Sequence, residues 1–313
     1  RYSFGEHPSG GTPASLKAIS REDVTAFHAE AFDAGSAVLI FAGDITAAQA
    51  ESLARKYFGK WENKTKGIGG GGSSSNHPGS ETPPVRRILV VDLPNSGQAA
   101  VNYTKNVSGA PRSNNTVYYP ASVLNSVLGG GYSSRLNQEI RIRRGLSYGA
   151  GSSFAWRSDK ANFGARTQTK NESAAIVAEL VLAEIKRLTE GSIDAAELTP
   201  RKSVLTGNFG RNLETTAGLA AQIGELYSFG LSPSALNAYM NDVQAVTDKQ
   251  IRDFAGANLT GGDLIIVGDY KIFRDDLAKR FPALKIEVVK ADELDLSNEN
   301  LRRSGGETVK AGS

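Results

Sequence analysis

Two stretches of this chain, far apart in sequence, read as the same unit, and that parallel restricts the fold more than any other feature. In the first, Ser20-Arg21-Glu22-Asp23-Val24 opens a helical pattern through Phe27; the apolar run Ala37 to Phe41, the pair Gly43-Asp44 and a helix ending at Lys56-Tyr57-Phe58 follow. In the second, Thr247-Asp248-Lys249-Gln250-Ile251 opens a helix through Phe254, leading to Leu264 to Val267, Gly268-Asp269 and a helix ending at Lys279-Arg280-Phe281. Both run helix, strand, Gly-Asp turn, helix. Ser20 and Thr247 are N-cap residues, whose side-chain oxygens can accept from the free N–H groups of a first turn, and Thr46 with Gln49 has the spacing of a capping box. A long patterned sequence precedes the second copy and very little precedes the first. The expectation is therefore the C-terminal part of one copy followed by a complete one. The chain starts at Arg1 without a methionine, so a processed or truncated start is also expected, compatible with a lost signal peptide.

Between the copies, Gly67 to Pro84 contains Gly69-Gly70-Gly71-Gly72-Ser73-Ser74-Ser75 and closes on Pro83-Pro84, the composition of a flexible linker. No Lys-Ser or Lys-Thr follows these glycines, which removes a phosphate-cradling loop from consideration. From Val85 onward the pattern is mixed. Val85 to Val91 and Gln98 to Val107 are expected as strands joined by a turn at Pro94-Asn95-Ser96-Gly97, and Asn114 to Leu128 and Ser133 to Arg143 as helices. A hairpin is expected from Ser147 to Trp156 and Ala161 to Thr169, turning at Arg157-Ser158-Asp159-Lys160. Helical patterns run from Glu172 to Leu188 and from Ala195 to Phe229; Ile176, Leu180, Ala183 and Leu188 fall near one face, as on a helix that covers a sheet. Strands and helices grouped in blocks favour α+β over a doubly wound fold. The tail after Lys290 is polar, and a frayed end is expected there.

Composition removes several function classes. The formal charge of +3 is a small difference between 36 basic and 33 acidic residues, with no basic run interleaved with aromatics, so nucleic acid is not the expected partner. The absence of cysteine excludes disulfides and thiolate metal sites but does not choose a compartment. No apolar run approaches the roughly 20 residues of a membrane span. The three histidines, His7, His28 and His77, have no spacing that would hold a catalytic metal, since a helical peptidase site needs two histidines on one helix face with a glutamate. Gly145-Leu146-Ser147-Tyr148-Gly149 matches the nucleophile-elbow pattern literally. That mechanism needs a strand, a strained turn and a helix, with an acid and a histidine downstream; here every histidine lies upstream and the following residues read as strand.

The segment Gly129-Gly130-Gly131-Tyr132-Ser133-Ser134-Arg135-Leu136, followed by Arg141 and Tyr148, carries the chemistry. One glycine after a helix is an ordinary C-cap; three suggest close approach of a backbone, from a neighbouring element or a bound peptide. A guanidinium and a phenol seven residues apart could hold a peptide carbonyl. Against that, Arg141, Arg143 and Arg144 could form a solvated basic face, and Tyr148 could be an ordinary strand aromatic.

These residues resemble the second half of an insulinase/pitrilysin-type zinc metallopeptidase subunit, the family that includes mitochondrial processing peptidase. The resemblance runs through Leu124 to Leu136, Glu139-Ile140-Arg141 and Arg144 to Gly149, and extends to the turns Ala42-Gly43-Asp44 and Val267-Gly268-Asp269. It implies repeated insulinase-type α/β domains: residues 1–62 as the remnant of a first, 63–84 as linker, 85–290 as a complete domain and 291–313 as tail. It also implies a clamshell in which zinc is held by an H-x-x-E-H helix in a catalytic half, fused or separate, while Arg141 and Tyr148 hold an unfolded peptide from the opposite wall, beside Gly129, Gly130 and Gly131. This chain contains no H-x-x-E-H, so the resemblance assigns it no metal ligand or cofactor of its own and places zinc in the partner half. A structural or peptide-binding module without proteolytic role remains the alternative. By analogy with exported bacterial relatives the expected compartment is the periplasm, with the cytoplasm also compatible.

Overall fold

The structure is a computed structural model that describes residues 10–62, 87–296, 298 and 301–303. The linker expected at 63–84 and most of the tail lie outside the described residues. The chain divides into two units. The first holds the described residues up to Glu62, together with Asn212–Glu225 and those from Asp295 on; the second holds the remainder.

In the first unit, α1 (Pro13–Ala18), α2 (Arg21–Ala31) and α3 (Ala47–Phe58) each begin at a reciprocal capping box: Thr12 with Ser15, Ser20 with Asp23, and Thr46 with Gln49. Each box satisfies N–H groups that the first turn would otherwise leave open. The strand expected at Ala37 to Phe41 does not form; after a short 3₁₀ turn at Ala34–Ser36 these residues are irregular. The reason is physical. A strand needs a hydrogen-bonding neighbour, and no described strand of the first unit supplies one. Val38, Leu39 and Phe41 consequently stand exposed, while Ile40 approaches the Cα side of Gly224.

The second unit is built on one six-stranded sheet in the order β3-β4-β2-β5-β1-β6. Its strands are β1 (Arg87–Asp92), β2 (Ala99–Ser108), β3 (Ala150–Trp156), β4 (Lys160–Thr169), β5 (Asp263–Gly268) and β6 (Lys285–Lys290). β5 runs parallel to β1, with Ile88 opposite Leu264, and antiparallel to β2, with Tyr103 opposite Leu264. β6 runs parallel to β1 on its other side, and β3 closes the far edge as a hairpin with β4. α4 (Asn115–Leu128), α5 (Ala174–Glu190), α6 (Ala195–Leu213), α7 (Thr216–Ser228), α8 (Ala235–Ala245), α9 (Asp248–Asn258) and α10 (Tyr270–Arg280) complete the described helices. The end of α6 and most of α7 belong to the first unit.

One face of the sheet makes the core. Ile88, Val90, Val101, Tyr103, Phe163 and Ile266 are buried against Leu124, Val127, Val177, Val181, Ile251 and Leu277 of the helices. The period of two along β4 shows the consequence: Ala161, Phe163, Ala165, Thr167 and Thr169 are buried, and the residues between them are not. Helices on one face of a mixed sheet make this an α+β unit. The Gly268-Asp269 turn is structural. A Cβ on Gly268 would stand 2.6 Å from Asn171 Oδ1, which accepts from the Asp269 N–H at 3.0 Å, while Asp269 Oδ2 accepts from the Asn95 N–H at 3.0 Å.

Two further expectations need correction. The helix placed at Ser133 to Arg143 begins at Arg135 and widens to a π-helical turn over Asn137–Arg143. The pattern from Ala195 to Phe229 is two helices, because Thr215 Oγ1 accepts from the Gly218 N–H at 3.0 Å and starts α7, while a Cβ on Gly218 would collide with Asn212 O. α8 and β6 were not anticipated. The expected β1–β2 turn is present, with Asn95 at φ 61° in the left-handed region that asparagine tolerates.

Candidate functional site

A cleft of about 570 Å³ opens beside the edge strand β3, lined by Gly129 to Tyr132, Asn137, Arg141, the strand from Gly149 to Ser153, and Arg166. Four stretches of the chain between Gly129 and Arg166 meet there, and their shapes have local reasons.

The glycine run ends α4, and its three members do different work. A Cβ on Gly129 would stand 2.5 Å from Ser152 Oγ and 2.7 Å from Gly151 C, so the close approach is made by β3 of the same unit. The contact is a hydrogen bond: the Ser152 N–H donates to Gly129 O at 3.1 Å, and Ser152 Oγ donates to Asn125 Oδ1 at 2.7 Å. A Cβ on Gly130 would meet Asn125 O at 2.9 Å, at the end of its own helix. Gly131 has nothing within 4 Å and faces open space.

The π-helical turn presents Arg141. Widening the helix by a residue breaks its regular stacking and turns a side chain away from the line of its neighbours. Gly145, at φ 64°, then lets the Leu146 N–H reach back to Ile140 O at 2.9 Å and ends the turn. Glu139 takes up the other two arginines, with Arg143 Nη1 at 3.0 Å and Arg144 Nε at 2.8 Å. The hydrogen bond from Arg144, reinforced by Arg143, holds the Glu139 carboxyl below its ordinary value. Arg141 has no carboxylate partner among the described residues; its guanidinium carbon lies 5.1 Å from the centre of the Tyr132 ring, a cation–π contact at the rim of the cleft. The cluster is thus not a uniform basic face.

Tyr148 lies between the π-helical turn and β3, 90 % exposed, and its phenol makes no hydrogen bond within the described residues. It does not line the cleft itself; Gly149, the next residue, does. The backbone that carries it is pinned on both sides. Thr169 Oγ1 donates to Leu146 O at 2.6 Å and Thr167 Oγ1 donates to Gly149 O at 2.7 Å.

Asn137 ties the segments together, and sequence reasoning passed over it. Buried in the floor of the cleft, its Nδ2 donates to Tyr132 O at 2.6 Å and its Oδ1 accepts from the Ala150 N–H at 3.3 Å. The signal available was a polar residue between Leu136 and Ile140 on a buried helical face. Behind it, Arg135 makes a two-pronged ion pair with Glu197 of α6, at 2.8 and 2.6 Å, and this bond raises the Arg135 pKa. Arg201 of α6 donates to the side chain and carbonyl of Ser133. The loop is therefore anchored to α6 at two points.

Among the described residues there is no group of three or more His, Cys, Asp or Glu that could hold a metal ion. His28 stacks on Phe32 at 4.8 Å between ring centres, and His7 and His77 lie outside the described residues. No described helix is long and apolar enough to cross a membrane.

The α+β fold built on this six-stranded sheet is shared with several solved structures. Over 82 % of this chain and 61 % of the other, it superposes on a protease from Helicobacter pylori with a TM-score of 0.72 at 18 % identity. It superposes on a peptidase M16 inactive domain from Pseudomonas fluorescens with a TM-score of 0.66 at 23 % identity, covering 84 % and 61 %. Residues 18–205 match the family described as peptidase M16 inactive domain, and the chain belongs to that family. Among curated relatives, an uncharacterized zinc protease of Rickettsia felis is 25 % identical over 76 % of this chain and 55 % of its own length. One from Mycobacterium leprae is 26 % identical over 71 % and 49 %, and a non-peptidase homolog of Helicobacter pylori is 26 % identical over 81 % and 56 %. The chain spans about half the length of these relatives.

Proposed function

We propose that this chain is the substrate-holding, non-catalytic half of a zinc-dependent peptidase, with Arg141 and Tyr148 gripping the main chain of an unfolded peptide opposite a zinc site carried by another half. The observation that carries the reading is the isolation of Arg141. Its two neighbours are spent on Glu139, while its own guanidinium stands at a cleft whose glycines leave room for a peptide backbone. A guanidinium and a phenol are both donors, suited to a carbonyl oxygen that gains negative charge during hydrolysis. Zinc in the partner half would supply the metal chemistry. On the same reading, residues 85–290 form one domain of the repeated family type, 63–84 tether it, and the protein works in the periplasm.

The test is a pair of assays on the purified chain. With an unstructured, dye-labelled peptide, binding is expected without cleavage, zinc added or not. Arg141→Gln removes a charge-assisted donor and should weaken binding roughly tenfold or more; Tyr148→Phe removes one neutral donor and should cost roughly two- to tenfold. Chelator-sensitive cleavage by the pure chain would end the proposed division of labour, and undiminished binding by both variants would remove the pair from the site. The name of the Helicobacter pylori non-peptidase homolog favours a second reading, a binding module with no proteolytic role. That reading predicts the same binding, with no gain in cleavage when any zinc-bearing half is supplied.

A further inference from the structure

The cleft contains a second unpaired cation that the proposed grip does not use. Arg166 sits on β4, opposite Asn102 of β2 on one side and Gly151 of β3 on the other. Along the outward face of β4 from Asn162 to Gln168 it is the single charge, between Gly164 and Gln168. Gly151 has no side chain, so nothing on the edge strand stands between Arg166 and the cleft, and both residues line it.

Charge makes this placement informative. The lining includes two guanidiniums, Arg141 and Arg166, and no carboxylate. Neither guanidinium has an ion-pair partner among the described residues, although the arginines around them do: Arg135 with Glu197, and Arg143 and Arg144 with Glu139. A guanidinium is always charged and only donates. A peptide main chain is neutral, and one guanidinium suffices to hold its carbonyl. A second, on the sheet and lining the same cleft, is matched by a side-chain carboxylate, which the positive field of the cleft also attracts.

We propose that Arg166 is a specificity-determining residue, selecting an aspartate or glutamate in the stretch of peptide that crosses the cleft. The proposal rests on the peptide-holding reading above and names the kind of peptide held.

The experiment compares two sets of short, unstructured, dye-labelled peptides, alike except that one position, moved along the set, is Glu in the first and Gln in the second. Fluorescence anisotropy with the full chain gives the ratio of their affinities. At the register that places the position over Arg166, the parent should prefer Glu by roughly three- to tenfold at low salt, and the preference should shrink as salt is added. Arg166→Gln should bring the ratio close to one, Arg166→Lys should keep part of it, and Arg166→Glu should turn the preference toward a Lys peptide. Residue 166 is exposed on a strand, and circular dichroism confirms that each variant is folded. A parent ratio near one at every register would overturn the proposal; if Arg141→Gln still weakened both sets, the peptide-holding reading would stand without it. A Glu preference that survives Arg166→Gln would also overturn it, by assigning the selection elsewhere. No binding of either set would overturn both.

Discussion

Replacing Gly129 with alanine tests the contact that forms the cleft. The added Cβ would lie 2.5 Å from Ser152 Oγ and 2.7 Å from Gly151 C, and closer still to Ser152 N, where ordinary contact needs more than 3.4 Å. The obstacle is mostly backbone, so it cannot be relieved by a rotamer change. α4 and β3 would have to separate by about 1 Å, which breaks the 3.1 Å bond from the Ser152 N–H to Gly129 O. Forced overpacking costs about 1–3 kcal/mol and a buried, unpaired backbone group about 1–2 kcal/mol more. Alanine recovers at most about 1 kcal/mol of backbone entropy from glycine, so the net loss should be about 2–4 kcal/mol. Gly131 is the internal control: nothing lies within 4 Å of its Cβ position and its φ is not positive, so Gly131→Ala should stay within about 0.5 kcal/mol of the parent. Urea unfolding of both variants, with the slope checked for constancy, measures the difference. Equal stability of the two variants, or a Gly129→Ala cost below about 1 kcal/mol, would refute the account of the glycine run.

Two more outcomes follow from the same geometry. Asn137→Ala leaves Tyr132 O and the Ala150 N–H without their partner and should cost about 2–4 kcal/mol in urea unfolding, with peptide binding weakened beyond what the stability loss explains; unchanged binding would mean that Asn137 does not position the cleft. Glu139 is held below its ordinary pKa by Arg144 and Arg143, so its contribution is complete above the ordinary carboxylate range and fades as pH falls through the lowered folded value. The stability gap between the parent and Glu139→Gln should accordingly be open at pH 7 and close at acid pH; a gap independent of pH would refute the ion-pair account.

Local signals carried much of the fold. The capping boxes at Ser20, Thr46 and Thr247 are short-range hydrogen bonds between neighbours in sequence, and each helix starts where its cap predicts. The β3–β4 hairpin and α4 followed from a period of two and a period near 3.6. The break between α6 and α7 was also local, in Thr215 and Gly218, but a continuous helical period concealed it. The failure at Ala37 to Phe41 is of another kind. Its apolar, β-prone residues match those of β5, yet β5 is a strand because β1 and β2 flank it, and no sequence window contains that fact.

The same division holds at the site. Sequence singled out Gly129 to Gly131, Arg141 and Tyr148 by type and spacing, and the structure brings the glycines and Arg141 to one cleft with Tyr148 at its margin. It could not separate Arg141 from Arg143 and Arg144, because the choice depends on which guanidiniums Glu139 reaches from a π-helical turn. Nor could it find Asn137 or Arg166. Asn137 acts through partners on both sides of its chain segment, and Arg166 reaches the cleft only because the sheet register sets it opposite a glycine. Sequence by itself determined the capped helices α2, α3 and α9, the β3–β4 hairpin and the residue types available for binding, since those depend on neighbours along the chain. Tertiary structure alone decided that Ala37 to Phe41 forms no strand, which glycine is crowded and which arginine is left unpaired, because strand pairing, close approach and charge pairing are made between residues that only folding brings together.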